Sequence, residues 1–274
     1  MAVLNRTTDS FYAPARLLDD GAADAAVARA VEEGADILDV GGVRAGPGAE
    51  VSVEEEIARV VPVIERVRSA HPGLVISVDT WRGAVAREAC RAGAALVNDT
   101  WAGHDPTLVE VAAEHGAGVV CSHTGGAQPR TLPRRVAYGT TTDGVVDAVL
   151  ASLLAAARHA EGCGVPKESI LIDPTIDFGK NTWHGLALLR RLEMFTGFGY
   201  PVLMALSRKD LIGESLGLDV DQRLEGTLAA TAVSAWQGVR VFRVHDVRAT
   251  RRVLDLVSMI RGELPPRAPL RGLT

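Results

Sequence analysis

Apolar positions along this chain follow two rhythms that take turns. Short unbroken runs rich in Val, Ile and Leu read as strands buried on both faces, and longer stretches with an apolar residue every third or fourth position read as covering helices. The strand-like runs are Ala2–Asn5, DILDVGG (Asp36–Gly42), LVISVDT (Leu74–Thr80), ALVND (Ala95–Asp99), GVVCSH (Gly118–His123), ILID (Ile170–Asp173), PVLMALSRK (Pro201–Lys209) and VRVFRVHD (Val239–Asp246). Helices are expected over Ala22–Glu33, from Ser52, then over Gly83–Ala92, Pro106–His115, Val145–Ala157, Trp183–Phe195, Asp221–Gln237 and Ala249–Arg261. Ser52 and Glu55 have capping-box spacing, and Val53, Ile57, Val60, Val61, Ile64 and Val67 then recur on one face. Val146, Val149, Leu150, Leu153, Leu154 and Ala157 make a second face, and Val253, Leu256, Val257 and Ile260 a third. Gly34, Gly93 and Gly116 supply helix stops.

Eight strand-and-helix units in 274 residues predict a (β/α)8 barrel, one domain over residues 1–262, with residues 263–274 and their prolines as a surface extension. A doubly wound open sheet is the competing architecture. No GxGxxG follows the first strand, and no shift in composition marks a second domain. With 47% hydrophobic and 23% charged residues the chain has ample material for one large core. The net charge of -5 and the lack of a polybasic run argue against a nucleic-acid surface. Cys90, Cys121 and Cys163 form no metal-ligand pair, which suits a reduced, cytoplasmic setting. Asp147 interrupts the longest apolar helix, so no membrane span is expected.

Barrels do their chemistry where the strands end, because only the eight following loops share one mouth. The strand ends here carry Asn5, Asp39, Asp79, Asn98, His123, Asp173, Lys209, and Arg243 with His245. Any one Asp or Asn before a helix can be a cap worth about 1 kcal/mol; eight polar ends at one mouth point to a site. Asp39, before Gly41 and Gly42, reads most simply as a residue that binds backbone, and His123 as either loop support or a ligand contact. The chain has three lysines against 26 arginines, and Lys180 and Lys209 both fall in strand-end loops. Lysine where arginine is the habit suggests a compact point charge. Arg243 and His245 alternate with Phe242 and Val244, so both point one way. Together with Lys209 and Asn5 they suit a polyanion, while Asp79, Asn98 and Asp173 offer acceptors opposite them for a flat, donor-rich heterocycle.

These residues sit in motifs that resemble dihydropteroate synthase: LNRTTDSF at Leu4, DILDVGG, ISVDT at Ile76, VND at Val97, LIDPTIDFGK at Leu171, SRK at Ser207, RLEGTLAA at Arg223 and RVHD at Arg243. The resemblance runs nearly end to end. It implies a (β/α)8 barrel, usually a homodimer, that joins 6-hydroxymethyl-dihydropterin diphosphate to p-aminobenzoate and releases pyrophosphate in folate biosynthesis. It further implies that Asp79, Asn98, Asp173, Phe178 and Lys209 hold the pterin, and that Asn5, Arg243 and His245 hold the diphosphate. Asn5 would be the one protein ligand to Mg²⁺, and Asn5, Lys209, Arg243 and His245 would carry the catalysis.

Departures from the family pattern cluster on the aminobenzoate side. GGVRAGPG (Gly41–Gly48) stands for GGESTRPG, so Ala45 and Gly46 replace a threonine and an arginine, with Arg44 two positions earlier. Thr8 replaces a proline, Thr175 and Asp177 replace two glycines, and Asp210 replaces the serine after SRK. CSHTGG (Cys121–Gly126) replaces a methionine-rich segment. This pattern resembles the second dihydropteroate synthase-like paralogue of high-GC actinobacteria. The alternative to a working synthase is therefore a paralogue that binds the pterin diphosphate but is inactive as a synthase or uses another amine. A methyl-tetrahydrofolate-binding barrel would share the acid and Asn contacts, but has no use for Lys209, Arg243 and His245 around a diphosphate.

Overall fold

The computed structural model describes residues 1–7, 19–131, 137–139 and 143–271. Strands β1 (Ala2–Asn5), β2 (Ile37–Gly41), β3 (Val75–Asp79), β4 (Leu96–Asp99), β5 (Gly118–Ser122) and β6 (Ile170–Asp173) pair in chain order, all parallel. Strands β7 (Leu203–Met204) and β8 (Val241–Phe242) form a parallel pair of their own. Parallel bridges between Ile172 and Val202 and between Ala2 and Val244 join the two sets at both seams. The sheet therefore closes on itself as an eight-stranded barrel, and the open-sheet alternative is excluded.

Helices α1 (Asp20–Glu32), α2 (Val53–Ala70), α3 (Gly83–Ala92), α4 (Thr107–Glu114), α5 (Gly144–Gly162), α6 (Thr182–Arg190), α7 (Glu193–Thr196), α8 (Asp210–Leu216), α9 (Leu224–Trp236) and α10 (Val247–Ile260) cover the barrel. Strand residues of one parity, among them Leu38, Val40, Ile76, Val78, Val97, Ile170 and Ile172, join the helices in one large outer core. Residues of the other parity point inward, as a period of two requires. Met1, Leu96, Val120, Leu171 and Leu203 form a separate apolar cluster there. Two positions beyond Leu96, Val120 and Leu171, on the same inward face, come Asn98, Ser122 and Asp173. The barrel interior thus has an apolar plug at one end and a polar layer at the other, and the polar layer is at the strands' carboxyl ends.

Several local expectations change. The Ser52 cap is half a capping box: its hydroxyl accepts from Glu55 N–H at 3.1 Å, but the Glu55 carboxylate turns to Arg59 instead of returning to the cap. The helix expected over Trp183–Phe195 breaks at Arg191 into α6 and α7 without a proline or glycine to announce it. The stretch after Lys209 forms α8, and the next helix starts at Leu224, later than Asp221. On α10 the inward stripe is Val247, Thr250 and Val257; Leu256 and Ile260, expected inward, are 57% and 64% exposed. Residues 263–271 are exposed and form no helix or strand. Thr8 lies outside the described residues.

Glycine is required beside the site at Gly42, where an added Cβ would stand 2.9 Å from Val60 Cγ1 and 3.1 Å from Glu56 Cγ. The plug is the more direct measure of the fold. Leu203 is fully buried in it, so Leu203→Ala should lower unfolding stability by about 2–5 kcal/mol in urea titrations. A change inside the error of the titration would mean that the plug is not close-packed.

Candidate active site

Strand register lines up the polar strand ends. Asn5 pairs with Gly41, Gly41 with Asp79 and Asp79 with Asn98, so four neighbouring strands present one row at the mouth. Beneath that row lies Asp39, fully buried. One of its oxygens accepts from Ser77 Oγ at 2.6 Å; the other accepts from Asn98 Nδ2 at 3.2 Å and Arg243 Nε at 2.6 Å. The expectation that Asp39 binds backbone is therefore wrong. Its partners are side chains from β3, β4 and the end of β8.

Arg243 reaches across the barrel to two carboxylates, since its Nη2 also donates to Asp79 Oδ2 at 2.7 Å. Acids and cations are therefore interleaved, not set at opposite ends of the pocket. The second oxygen of Asp79 accepts from Thr100 Oγ1 at 2.9 Å. Burial raises the Asp79 carboxyl to about 7; Arg243 opposes the shift and the Asp39 charge adds to it. Asp173 accepts from Thr175 N–H at 2.7 Å through one oxygen. Burial raises it too, against the attraction of Lys209.

The loop after β6 is held from all sides. Thr175 and Asp177 have φ of 53° and 70°, the left-handed region that glycine adopts freely and that is uncommon for a β-branched residue. Each such conformation costs on the order of 1–2 kcal/mol, and here it is offset by specific bonds. Thr175 Oγ1 donates to Asp173 O at 2.8 Å and accepts from His123 N–H at 3.1 Å. Asp177 Oδ2 accepts from Leu211 N–H at 3.3 Å in the first turn of α8. Lys180 Nζ donates to the carbonyls of His123, Phe178 and Thr175 at 2.7, 2.9 and 3.1 Å. Lys180 is thus a staple between two loops, not a charge offered to a ligand. Burial lowers its ammonium to about 7, with Asp173 pulling the other way.

Lys209 Nζ donates to Ile176 O and lies 5.1 Å from the centre of the Phe178 ring. Phe178 in turn meets Trp101 edge-on at 5.4 Å. The structure so brings Lys209, Phe178, Asp173 and Asp177 to one side of the mouth. Trp101 and Thr100 escape a reading limited to strand ends. Their signal was available, because Thr100 is two positions past Asn98 and keeps its parity. At the far edge His245 N–H donates to Ser207 Oγ at 3.3 Å. A Cβ on Gly41 would stand 3.4 Å from Asn5 Oδ1, so this glycine lies directly beside the Asn5 side chain.

A sequence profile of the family described as pterin binding enzyme matches residues 1–245. The chain belongs to the pterin-binding enzyme family. A Mycobacterium tuberculosis (strain H37Rv) member named inactive dihydropteroate synthase 2 is 60% identical over 273 residues, covering 100% of this chain and 86% of its own. Dihydropteroate synthase of Bacillus subtilis (strain 168) is 39% identical over 260 residues, covering 94% and 87%. The structure of dihydropteroate synthase from Coxiella burnetii in complex with pteroic acid superposes with a TM-score of 0.86 at 32% identity, covering 95% of this chain and 92% of that one.

Two features of this family member stand apart from the pocket floor. The second loop carries Arg44, half-buried and without a hydrogen-bond partner among the described residues, and Ala49 O accepts from Arg130 Nη1 at 2.6 Å. Two histidines at the mouth stay neutral: burial lowers both to about 4, reinforced by Lys180 for His123 and by Arg243 for His245. A histidine depressed on folding contributes stability that is full above its unfolded value of 6.5 and is lost as pH falls toward 4. His123→Gln should therefore reduce the loss of stability between pH 7.5 and pH 5 by on the order of 1–2 kcal/mol. Parallel pH profiles for variant and wild type in urea unfolding would count against a neutral, buried His123.

Proposed function

We propose that the chain is a dihydropteroate synthase-like transferase that binds 6-hydroxymethyl-dihydropterin diphosphate and condenses it with p-aminobenzoate, releasing pyrophosphate. The observation that carries this reading is the row of acceptors made by Asp79, Asn98 and Asp173 in the polar layer, with Arg243 and Lys209 against it. A pterin is flat and rich in N–H donors. Buried carboxylates lacking full hydrogen bonding favour such a partner over water. Phe178, carried on the stapled loop with Lys209 against its ring, supplies a face for the heterocycle.

The diphosphate end draws on Arg243, His245 and Asn5. Mg²⁺ fits here as an ion held mostly by diphosphate oxygens and water, with the amide oxygen of Asn5, at the strand-end row, as its one protein ligand. Its charge would offset that of the leaving group. Arg243, held by two carboxylates, is preorganised to stabilise charge as it develops on the departing oxygens. Lys209 sits beside Asp173 and bears on the electron-rich ring, not the leaving group. An aromatic amine is neutral and nucleophilic at pH 7, so no residue need act as its general base.

A second reading is favoured by the loops around the mouth. The carboxylates of Asp177 and Asp210 lie at the start of α8 beside Lys209, and Ala45 and Gly46 leave the second loop without a hydroxyl and a cation. Arg223 neutralises Asp210 at 2.9 Å and Lys209 attends Asp177, so the loss for an anionic amine is the missing cation and hydroxyl of the second loop. On this reading the protein keeps the pterin diphosphate and either uses a different amine or makes no product. Homodimerisation is proposed on the paired helices α9 and α10, which expose Val233, Trp236, Leu256 and Ile260, an apolar surface suited to a second copy.

Purified protein incubated with the pterin diphosphate and Mg²⁺, with and without p-aminobenzoate, should release pyrophosphate in step with dihydropteroate. Binding of the pterin diphosphate without dihydropteroate would select the second reading, and no binding would end both. His245→Ala should weaken Mg²⁺-pyrophosphate binding by about 1.5–3 kcal/mol if the ring donates to a charged oxygen; equal calorimetric affinities would remove it from the site. Ala45→Thr with Gly46→Arg should lower the aminobenzoate KM. Gly46 has no positive φ, and an added Cβ would stand 3.2 Å from Arg44 Nε, so the arginine needs only a small shift of its neighbour. An unmoved KM would place the carboxylate contact elsewhere.

A further inference from the structure

We propose that Asp39 is a positioning residue for both halves of the pocket, fixing which edge of Arg243 and which atom of Asn98 face the ligand. The proposal rests on the pterin diphosphate reading. Asp39 is fully buried, so it cannot itself touch a ligand at the mouth. It nevertheless bonds the two residues that bracket such a ligand, Asn98 at one end and Arg243 at the other.

The consequence for Asn98 is chemical. A carboxylate paired with a guanidinium can only accept hydrogen bonds, so the Asn98 atom facing Asp39 must be its amide nitrogen. That leaves Asn98 Oδ1, an acceptor, for the pocket. An asparagine in a neutral setting can turn either way; this one presents oxygen and selects for a ligand N–H. The consequence for Arg243 is geometric. Its Nε goes to Asp39 and its Nη2 to Asp79, and these two nitrogens form one edge of the guanidinium. Nη1 makes no hydrogen bond among the described residues, and the side chain keeps 21% of its surface exposed while Asp39 keeps none. The free end can then grip an oxyanion with two parallel donors. Asp79 cannot take over this role, because it makes one of the bonds to Arg243 and is itself one of the acceptors in the row.

The groups around Asp79 give a second readout, which follows the Asp39 charge itself. Arg243 from the end of β8, Asp39 from β2 and Glu56 from α2 all act on its charge, and Thr100 donates to it. Removing the Asp39 charge removes one influence that keeps Asp79 protonated. Binding that needs ionised Asp79 is full above its midpoint and lost as pH falls through it, so the loss should move to lower pH.

The test is Asp39→Asn, with calorimetric titration of inorganic pyrophosphate in Mg²⁺ and of 6-hydroxymethyl-dihydropterin across pH. Pyrophosphate affinity should fall on the order of tenfold, as when other orienting partners are removed, and the pH midpoint for the pterin should shift acidward. Ser77→Ala removes the third donor to Asp39 yet leaves its contacts to Arg243 and Asn98 intact. It should lose stability and keep both affinities. Should Asp39→Asn not fold, the exchange Asp39→Asn with Asn98→Asp restores one charge and one hydrogen bond across the pair, but not the carboxylate beneath Arg243. Pyrophosphate affinity should remain low in that double variant. Wild-type pyrophosphate affinity in folded Asp39→Asn, or in the double variant, would overturn the proposal alone. Wild-type protein that binds neither probe would overturn the pterin reading and this proposal with it.

Discussion

A guanidinium held between two carboxylates inside a barrel is the constraint on which the rest of this structure depends. Arg243 comes from the eighth strand segment, Asp39 from the second and Asp79 from the third. The seam between β8 and β1 is closed in the described residues by a backbone bridge and by the Met1 amino group donating to Phe242 O at 2.9 Å, and these ion pairs span the same seam from within. Burying such groups costs desolvation that their mutual attraction offsets only with good geometry and further hydrogen bonds. Ser77, Asn98 and Thr100 supply those bonds. The cluster is therefore better understood as fixing one arrangement of the mouth than as adding stability.

The two layers of the interior divide the labour. Leu96, Val120, Leu171 and Leu203 fill the lower barrel and hold strand spacing and register. Register then delivers Asn5, Asp79 and Asn98 to one level without help from the loops. The loops differ in kind. Thr175 and Asp177 keep a glycine-like backbone while binding His123 N–H and the start of α8. A glycine pair could supply the same path but not the ties. In this chain the segment beside Lys209 is built to stay still.

Strands and most helices were legible in the residues because two periodicities dominate a buried parallel sheet and its covering helices. α3 begins and ends where Gly83 and Gly93 say it should. The break between α6 and α7 was not legible, since Arg191 carries no breaker signal. Nor was the exposure of Leu256 and Ile260, because a helical pattern tells which residues share a face but not how that face is turned against its neighbours. Candidate site residues were found by position at strand ends, which one-dimensional reading handles well. Who bonds whom was not. Asp39 and Arg243 are 204 positions apart, and only closure of the barrel reveals that the acid and the cation neutralise each other. Lys180 misled for a related reason: its three carbonyl partners are backbone groups, which no pattern of side chains announces.

The plug of Met1, Leu96, Val120, Leu171 and Leu203 has a meaning for binding as well as a structural one. Among the described residues it fills the barrel axis beneath Asn98 and Asp173, so these two are approached from the strands' carboxyl ends. On the proposed reading, a pterin seated against Asn98 and Asp173 has the plug beneath it, and its own faces and edges decide what is left for a second partner at the loops.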